Sequence, residues 1–322
     1  MTSEVDFNHV LTSKANAGDS EAMFQLGVSC AFGRDAELDL EKALHWLKKA
    51  AKSGHTVAAE VLQDIGQAAN ASGGGSRSGA GGRCPSTGDT KTITLPGGAE
   101  MEMIYCAPGS FMMGSPEDEE DRDDDETQHK VTLTRGFWLG KYPVTQSQWK
   151  SVMGGNPSHY KGDDNPVDSV SWDDCKKFIK KINSRSGFTA RFPTEAEWEY
   201  ACRAGSGEAY SGTGDLDEMG WYDENSDDRT HPVGEKEPND WGFYDMHGNV
   251  LEWCADWYGS YPTKAVTDPK GPSSGDFHVL RGSCWGDYAG LCRSASRSDE
   301  DPSNFYSSCF GFRLCCSAGP HE

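Results

Sequence analysis

The chain has 322 residues, with 30 Lys and Arg against 51 Asp and Glu and a formal net charge of −21 at pH 7. A surface this acidic repels phosphate backbones and anionic headgroups, which argues against nucleic-acid binding and against a role at a membrane surface. No run approaches the ~18 consecutive apolar residues of a membrane span. The sequence MTSEVDFNHV at the N-terminus has no basic or apolar region typical of a secretion signal. We therefore expect a cytoplasmic protein.

Residues 1–65 are predicted to form two helices, because apolar residues recur there at three- and four-residue steps. Gly33 and Gly54 follow the two periodic runs, where helices are expected to stop. The residues that carry a resemblance to a known repeat are Ala22, Leu26, Gly27, Gly33, Ala43, Trp46, Ala50, Ala51, Gly54 and Ala58. They resemble one SEL-type, tetratricopeptide-like repeat. Such repeats bury their faces on neighbours, so a single copy implies an appendage that docks on a protein partner or oligomerises rather than a peptide-binding superhelix.

Glycine and serine dominate residues 66–92, which include the run ASGGGSRSGAGG. This composition is typical of a flexible linker. A domain boundary is therefore predicted near residue 92. None of the eleven cysteines of the chain forms a CxxC pair, which leaves zinc ribbons and thioredoxin-like sites without support.

Residues 93–316 are predicted to form an α+β domain with much irregular structure. The run KVTLTRGFWLG at 130–140 is typical of a strand. Capping boxes at Thr145, Ser171 and Thr194 predict short helices over 146–153, 172–183 and 195–203. The following stretch, 204–280, is rich in Gly, Asp, Asn, Pro and Trp and contains few regular patterns.

Seven segments of this domain occur in a characteristic order. They are APGSFMMGS (107–115), GFWLGKYPVTQSQW (136–149), NPVDSVSWDDC (165–175), RFPTEAEWEYACRAG (191–205), GFYDMHGNVLEW (242–253), VLRGSCW (279–285) and GFRL (311–314). Together they resemble the sulfatase-modifying-factor family, which includes the formylglycine-generating enzymes. The resemblance implies the family's variant of the C-type lectin fold. Because a fold does not fix a function, the activity depends on the site residues.

The resemblance implies that two thiolates bind Cu(I) in the oxidase members of this family, because this soft ion prefers sulfur ligands. These cysteines follow an aromatic residue by two and seven positions, and the aromatic residue here is Trp285. Asp287 occupies the first position and Cys292 the second. No catalytic residue is therefore assigned. The alternative is a copper-dependent formylglycine-generating oxidase that acts on a sulfatase cysteine through a displaced pair, Cys284 and Cys292.

The resemblance also implies a calcium site in the loop GFYDMHGNVLEW. The matching ligands are the side chains of Asp245 and Glu252 and the carbonyl oxygens of Gly248 and Val250. Hard oxygen ligands suit Ca²⁺. The alternative is that the two carboxylates cap the turn and its neighbouring backbone. His247 in the same loop is interpreted as a surface or hydrogen-bonding residue rather than a catalytic one.

The final segment, 284–310, has a composition of its own. Within 286–310, Glu300 is the one residue drawn from the set Lys, Glu, Gln, Met and Trp. Codons AAC and AAT mutated at adenine cannot encode those five types, and the segment resembles the variable region of retroelement-diversified proteins of this family. Aromatic residues among small polar ones are also typical of binding surfaces. The predicted ligand-binding residues are Asp287, Tyr288, Ser294, Ser296, Asp299, Phe305, Tyr306, Ser308 and Phe310.

The main functional hypothesis is thus a non-catalytic protein that binds a protein or another macromolecule through this segment. An ordinary family member with a cysteine-rich final loop is the simpler alternative. A separate acidic run, EDEEDRDDDE at 117–126, is interpreted as a solvated insertion between two strands, with a cation-binding loop as its alternative.

Overall fold

The computed structural model describes residues 14–15, 19–25, 40–55, 58, 85–185, 188–304 and 307–317. The chain divides into two compact units, Met1–Gly82 and Arg83–Pro320. Most of the predicted linker, residues 66–84, lies outside the described residues. Its last residues are not linker, because strand β1 begins at Thr90. None of the described helices combines the length and the apolar character that a membrane span needs.

The described part of the N-terminal unit is helical, with one segment over 20–25 and helix α1 over Leu40–Lys52. Asp19 caps the first segment, since its Oδ1 accepts hydrogen bonds from the backbone N–H groups of Glu21 and Ala22. The two helical segments share a small apolar cluster of Ala15, Ala22, Met23, Leu47, Ala50 and Ala58. The predicted turn around Gly33 lies outside the described residues.

Three helices of the C-terminal unit confirm the predictions from capping boxes. They are α2 (Gln146–Met153), α3 (Trp172–Asn183) and α4 (Glu195–Arg203). The side chains of their N-cap residues accept a hydrogen bond from the backbone three residues later, which satisfies a donor that the helix leaves free. A single turn, α5 (Leu216–Met219), follows.

Twelve strands in the described residues form three sheets. The five-stranded sheet has the order β1 (Thr90–Thr94), β2 (Glu100–Cys106), β5 (Phe137–Gly140), β12 (Cys315–Ser317) and β6 (Ala190–Arg191). The four-stranded sheet has the order β10 (Arg297–Glu300), β9 (His278–Arg281), β7 (Leu251–Trp257) and β11 (Phe310–Gly311). The three-stranded sheet has the order β3 (Gly109–Met113), β4 (His129–Leu133) and β8 (Val266–Thr267). The α+β fold class predicted from the sequence is confirmed.

The single strand predicted over 130–140 is wrong, because β4 and β5 belong to different sheets. The chain bends between them at Arg135, and the backbone N–H of the preceding Thr134 donates to Oδ1 of Asp268 at 2.8 Å. Gly136 then passes against the ring of Tyr105, and a Cβ at this glycine would lie 2.0 Å from the phenol oxygen. Alternating hydrophobicity predicts strand character but does not show such a break.

Of the stretch 204–280 that was predicted to contain few regular patterns, residues 204–250 hold one regular element, α5, but β7, β8 and most of β9 lie in the remainder. Within 204–250, side chains replace regular backbone pairing. The buried amide of Asn239 donates to the carbonyl oxygens of Ala201 and Cys202 and accepts from the backbone N–H groups of Trp241 and Phe243. Such side-chain bonds satisfy buried backbone groups that no sheet or helix reaches.

Candidate ligand-binding site

The 284–310 segment leaves the end of β9 and returns to the same sheet as β11. Between them it forms a 3₁₀ turn, Ala289–Cys292, and strand β10, which pairs antiparallel with β9. Strand β11 pairs in parallel with β7. The four-stranded sheet therefore holds the segment at its middle and at its C-terminal end.

The two ends of the segment meet at its base. The indole Nε1 of Trp285 donates to the carbonyl oxygen of Ser308 at 3.2 Å, and the sulfur atoms of Cys284 and Cys309 lie 2.7 Å apart. The carbonyl oxygen of Cys309 also accepts from the backbone N–H of Leu251, in β7. Residues 285–308 consequently form a loop whose ends are joined by side-chain and backbone contacts.

Two buried arginines fix the middle of the loop to the acidic run. Arg293 makes a bidentate ion pair with Glu126, at 2.7 and 2.8 Å, and its Nη1 lies 2.7 Å from Glu119. Burial alone would raise the pKa of the Glu126 carboxyl, but the hydrogen bonds from Arg293 outweigh it and lower the pKa. The run 117–126 lies between β3 and β4 and is mostly exposed, as expected of a solvated insertion, but Glu126 at its end is buried as the partner of Arg293.

Arg297 continues this connection on strand β10. Its Nε donates to Glu195 at 2.7 Å, and its Nη1 lies 3.5 Å from Asp125. The carboxylate oxygens of Asp123, Asp125 and Glu126 approach within 4.8 Å of one another. The guanidinium groups of Arg293 and Arg297 supply positive charge beside these acids, so the cluster is explained by ion pairs within the chain.

Arg281, at the end of β9, connects the loop to helix α4. Its guanidinium pairs with Glu195 at 3.1 Å and Glu199 at 2.7 Å, and it donates to the carbonyl oxygen of Ser294 at 2.7 Å. Arg281 and Glu199 are fully buried. A buried charge is tolerated only when it is paired, so these contacts fix the position of the loop backbone.

The predicted binding residues divide into exposed and buried groups. Tyr288 is 55% exposed, and the side chains of Asp287, Asp299 and Ser308 are partly exposed. The Oδ2 of Asp287 accepts from the Ser283 hydroxyl and from the N–H of Cys284, so this carboxylate also braces the turn. Phe305 and Tyr306 lie outside the described residues.

Ser294, Ser296 and Phe310 are buried, so the prediction of an exposed binding role is wrong for these three. The backbone of Ser294 is drawn inward by its bonds to Arg281 and Ala209. Phe310 packs on Trp253 with ring centroids 5.4 Å apart. The exposed surface of the segment is therefore smaller than the sequence predicted.

The structure does not bring the alternative cysteine pair together. Cys292 packs beside Leu216 and Tyr222, and burial raises the pKa of its thiol to about 12. Cys284 instead faces Cys309. A deeply buried thiol of raised pKa is a poor source of the thiolate that copper needs.

In the predicted calcium loop, protein donors occupy the oxygens of both carboxylates. Glu252 makes a bidentate ion pair with Arg313, at 2.8 and 3.0 Å, and accepts from the indole of Trp198 at 2.8 Å. Asp245 accepts from the backbone N–H of Gly234 and from the amide of Asn249. Calcium at Glu252 would have to displace Arg313, so the residues fit the capping role and an internal ion pair better than a metal.

His247 is buried and connects this loop to the ligand-binding segment. Its Nδ1 lies 2.8 Å from the carbonyl oxygen of Cys292, and its Nε2 lies 2.8 Å from the hydroxyl of Ser211. Burial lowers the pKa of the imidazole to about 4. A neutral imidazole that donates at Nδ1 and accepts at Nε2 satisfies both contacts. Of the two predicted alternatives, His247 is therefore a hydrogen-bonding residue and not a surface one.

The comparisons with known proteins agree with this architecture. The family described as "Sulfatase-modifying factor enzyme 1-like domain" matches residues 92–318, and the Sel1 repeat family matches residues 20–55. The chain belongs to the sulfatase-modifying-factor family. The N-terminal Sel1 repeat predicted from the sequence is likewise confirmed.

Three proteins with different names are similar to this chain. A solved structure, Treponema denticola variable protein 1, is 31% identical with a TM-score of 0.65, covering 71% of this chain and 99% of that one. PvdO from Pseudomonas aeruginosa is 28% identical with a TM-score of 0.63, covering 73% and 100%. The formylglycine-generating enzyme of Streptomyces coelicolor is 34% identical over 208 residues, which is 56% of this chain and 61% of that protein.

The first curated relatives are longer than the part that this chain matches. The chain spans 65% of one of them, a protein named chaperone LppX, and 37–38% of two proteins named serine/threonine-protein kinase pkn1. The activities of those whole proteins are therefore not transferred to this chain.

This member of the family also has a cavity of about 460 Å³ that the sequence did not predict. Its lining includes Asp256, Glu195, Arg297, His129 and Trp257. Oδ2 of Asp256 accepts from the backbone N–H of Glu195. Burial and the nearby Glu195 carboxylate raise the pKa of Asp256 to about 7.

Sequence reasoning missed the acidic partners of the loop arginines, and it missed Cys309. The available signal was charge complementarity, since Arg293 and Arg297 stand in a segment without Lys while ten residues at 117–126 are almost all acidic. Nothing in the spacing of Cys284 and Cys309 shows that the two thiols meet, because the loop between them folds back.

Replacing Arg293 with Met should destabilise the C-terminal unit by about 3 kcal/mol or more, because Glu126 would remain buried without its partner. Chemical denaturation measures this loss. The double variant Arg293→Met with Glu126→Gln should recover part of it, since no unpaired charge remains. The matched control is Arg229→Met, which removes an exposed pair at 3.7 Å and should change stability by less than about 1 kcal/mol. Equal losses of stability in Arg293→Met and Arg229→Met would contradict the role of Arg293 in fixing the loop.

Calcium should leave the melting temperature unchanged, because Arg313 already neutralises Glu252. Melting curves in excess calcium and in a chelator test this, since an ion that binds only the folded state raises the melting temperature by mass action. Asp245→Asn serves as the comparison variant. A calcium-dependent rise in the wild type that is lost in this variant would instead establish the metal site implied by the family resemblance.

The raised pKa of Asp256 predicts a pH-dependent stability. Between about pH 4 and pH 7 the folded chain keeps a proton that the unfolded chain releases, so this group makes stability fall as pH rises through that window. Asp256→Asn retains an acceptor for the Glu195 N–H and removes the titration. The variant should match the wild type near pH 4 and exceed it by about 2–4 kcal/mol at pH 8.

Unfolding in denaturant at both pH values measures the difference. Asp276→Asn, at an exposed position, is the control and should follow the wild type. If the curves of the Asp256 variant and the wild type are parallel from pH 4 to pH 8, Asp256 does not hold the extra proton.

Proposed function

We propose that the C-terminal domain binds a macromolecular ligand, in the first instance a protein, through the exposed face of the 284–310 segment. The observation that carries this proposal is the division of the segment into fixed and exposed parts. Arg293 and Arg297 hold the backbone through buried ion pairs, while Tyr288 points into solvent. Binding residues on loops are effective when a rigid scaffold positions them.

The exposed face has the character of a recognition surface. Tyr288 supplies a large amphipathic side chain with few rotatable bonds, and the small residues Gly286 and Asp287 precede it in the chain at exposed or partly exposed positions. Such mixtures provide an aromatic anchor with adaptable hydrogen-bonding neighbours. The scarcity of Lys, Glu, Gln, Met and Trp within 286–310 further supports diversification by a retroelement. The similarity to Treponema denticola variable protein 1, over nearly all of that chain, points the same way.

The competing proposal is the copper-dependent oxidase, which the similarity to formylglycine-generating enzymes favours. Against it, Cys292 packs with Leu216 and Tyr222, whereas the sulfur of Cys284 lies against that of Cys309. Asp287 stands at the other position where the resemblance requires a cysteine, and a hard carboxylate is a poor ligand for Cu(I). We therefore place binding ahead of oxidation.

Tyr288→Ala should weaken ligand binding by about 30-fold, the effect of losing an anchor worth about 2 kcal/mol. The ligand is first identified by screening the immobilised full chain, and its affinity is then measured by calorimetry. Met112→Ala is the matched control, since Met112 is 47% exposed on β3, outside the segment. Both variants should melt at the wild-type temperature.

A turnover assay tests the competing oxidase and can contradict the binding proposal. A cysteine-containing sulfatase peptide is incubated with the chain, copper and a thiol reductant, and the products are identified by mass spectrometry. We expect no formylglycine. Formylglycine that is made by the wild type and lost in Cys284→Ser or Cys292→Ser would replace the binding proposal with the oxidase. An equal loss of affinity in the Met112 and Tyr288 variants would refute the assigned surface.

A further inference from the structure

The cysteines of the C-terminal unit differ sharply in their access to solvent. Cys106, Cys175, Cys202, Cys254, Cys292 and Cys315 are buried, and burial raises the pKa of each of these thiols. Cys309 is the described cysteine that is partly exposed. Reactive cysteines are typically accessible and have thiolate character, so Cys309 is distinguished among them.

The partner of Cys309 is already in place. The sulfur of the buried Cys284 lies 2.7 Å from the sulfur of Cys309. This contact lowers the pKa of Cys309 and raises that of Cys284. One thiol is thus accessible and acidified, and the other lies beside it, shielded from solvent. This is the arrangement of an attacking thiol with a resolving thiol.

The surrounding backbone holds the two thiols together. The N–H of Cys284 donates to Asp287, and the carbonyl oxygen of Cys309 accepts from Leu251. The indole of Trp285 reaches the carbonyl oxygen of Ser308. Contacts on both sides of the pair therefore maintain its separation independently of the sulfur atoms.

We propose that Cys284 and Cys309 are a redox-active pair that a low-molecular-weight disulfide, such as oxidised glutathione, converts into a disulfide closing the base of the 285–308 loop. The oxidation stands on the geometry of the pair alone. Any effect on ligand binding would rest on the function proposed above.

The reaction proceeds by two exchanges. The Cys309 thiolate attacks one sulfur of oxidised glutathione, the glutathione S–S bond breaks, and one glutathione leaves as a thiolate. Cys284 then loses its proton and attacks the Cys309 sulfur, the mixed disulfide breaks, and the second glutathione leaves. The two protein thiols lose two electrons and two protons, and one glutathione disulfide becomes two glutathione thiols.

The test uses the reduced full chain, equilibrated with glutathione buffers of increasing oxidised fraction and quenched with a maleimide. Trypsin separates the two cysteines, because cleavage after arginine yields peptides 282–293 and 298–313. Mass spectrometry should find these peptides joined in the oxidised sample and separate in the reduced one. Since peptide 282–293 also contains Cys292, variants are needed to assign the bond.

Cys292→Ser is the matched control and should retain the cross-link. Cys284→Ser should lose the cross-link and accumulate a glutathione adduct on Cys309, because no resolving thiol remains. Cys309→Ser should lose both products. Melting curves of each variant under reducing conditions verify that it is folded, and the wild-type peptides provide the result even if one variant is not.

Two results would overturn the proposal. The first is an uncross-linked wild type in fully oxidised glutathione, and the second is a cross-link that persists in Cys284→Ser or disappears in Cys292→Ser. Because the readout is a covalent bond, failure of the ligand-binding proposal leaves it unaffected, and failure here leaves the binding measurement on Tyr288→Ala unaffected.

Discussion

A network of buried ion pairs between arginines late in the chain and carboxylates earlier in it holds this fold together. Arg281, Arg293 and Arg313 are nearly inaccessible to solvent, and their acidic partners Glu199, Glu126 and Glu252 are equally buried. Replacing a buried ion pair with apolar residues is often neutral, but removing one partner leaves an uncompensated charge. The network therefore selects one arrangement of loops more than it adds net stability.

The need for this network follows from the scarcity of regular structure. Between α4 and β7 the chain has a single helical turn, so backbone pairing cannot fix where the loops lie. Arg313 shows how a side chain does so instead. Its guanidinium binds Glu252 and also donates to the carbonyl oxygens of Gly140, Lys141 and Tyr244. One planar group with five donors thus joins three segments that are distant in sequence.

Local elements were predictable because their determinants are local. Thr194 and Glu197 form both hydrogen bonds of the capping box that the sequence indicated, and the helix begins where predicted. The family motifs in turn predicted the fold class, since their order covers most of the C-terminal domain. A capping box depends on two residues three positions apart, and the family motifs are complete in the sequence. Long-range contacts therefore do not change either signal.

The candidate site was less predictable because its geometry depends on long-range contacts. Ser294 and Ser296 look like surface residues in sequence, yet the ion pairs of Arg281, Arg293 and Arg297 draw the backbone between them into the interior. The acidic run looks solvated until Arg293 is seen to bind Glu126, 167 residues earlier in the chain. Composition predicts a polar segment correctly, but it cannot show which polar residues face inward.

The 285–308 loop is constrained by the buried arginines at its middle and by the cysteine pair at its base. These two constraints act on different states of the chain. The arginines fix its middle in the folded structure, and their removal would change where the exposed side chains lie. The base is already closed by the contact between Trp285 and Ser308 and by the pairing of Cys309 with β7. A bond between Cys284 and Cys309 would therefore leave the folded geometry largely unchanged and would restrict the opened or unfolded loop, as cross-links generally do. Charge pairing thus positions the exposed side chains, and the proposed Cys284–Cys309 bond would limit how far the loop can open.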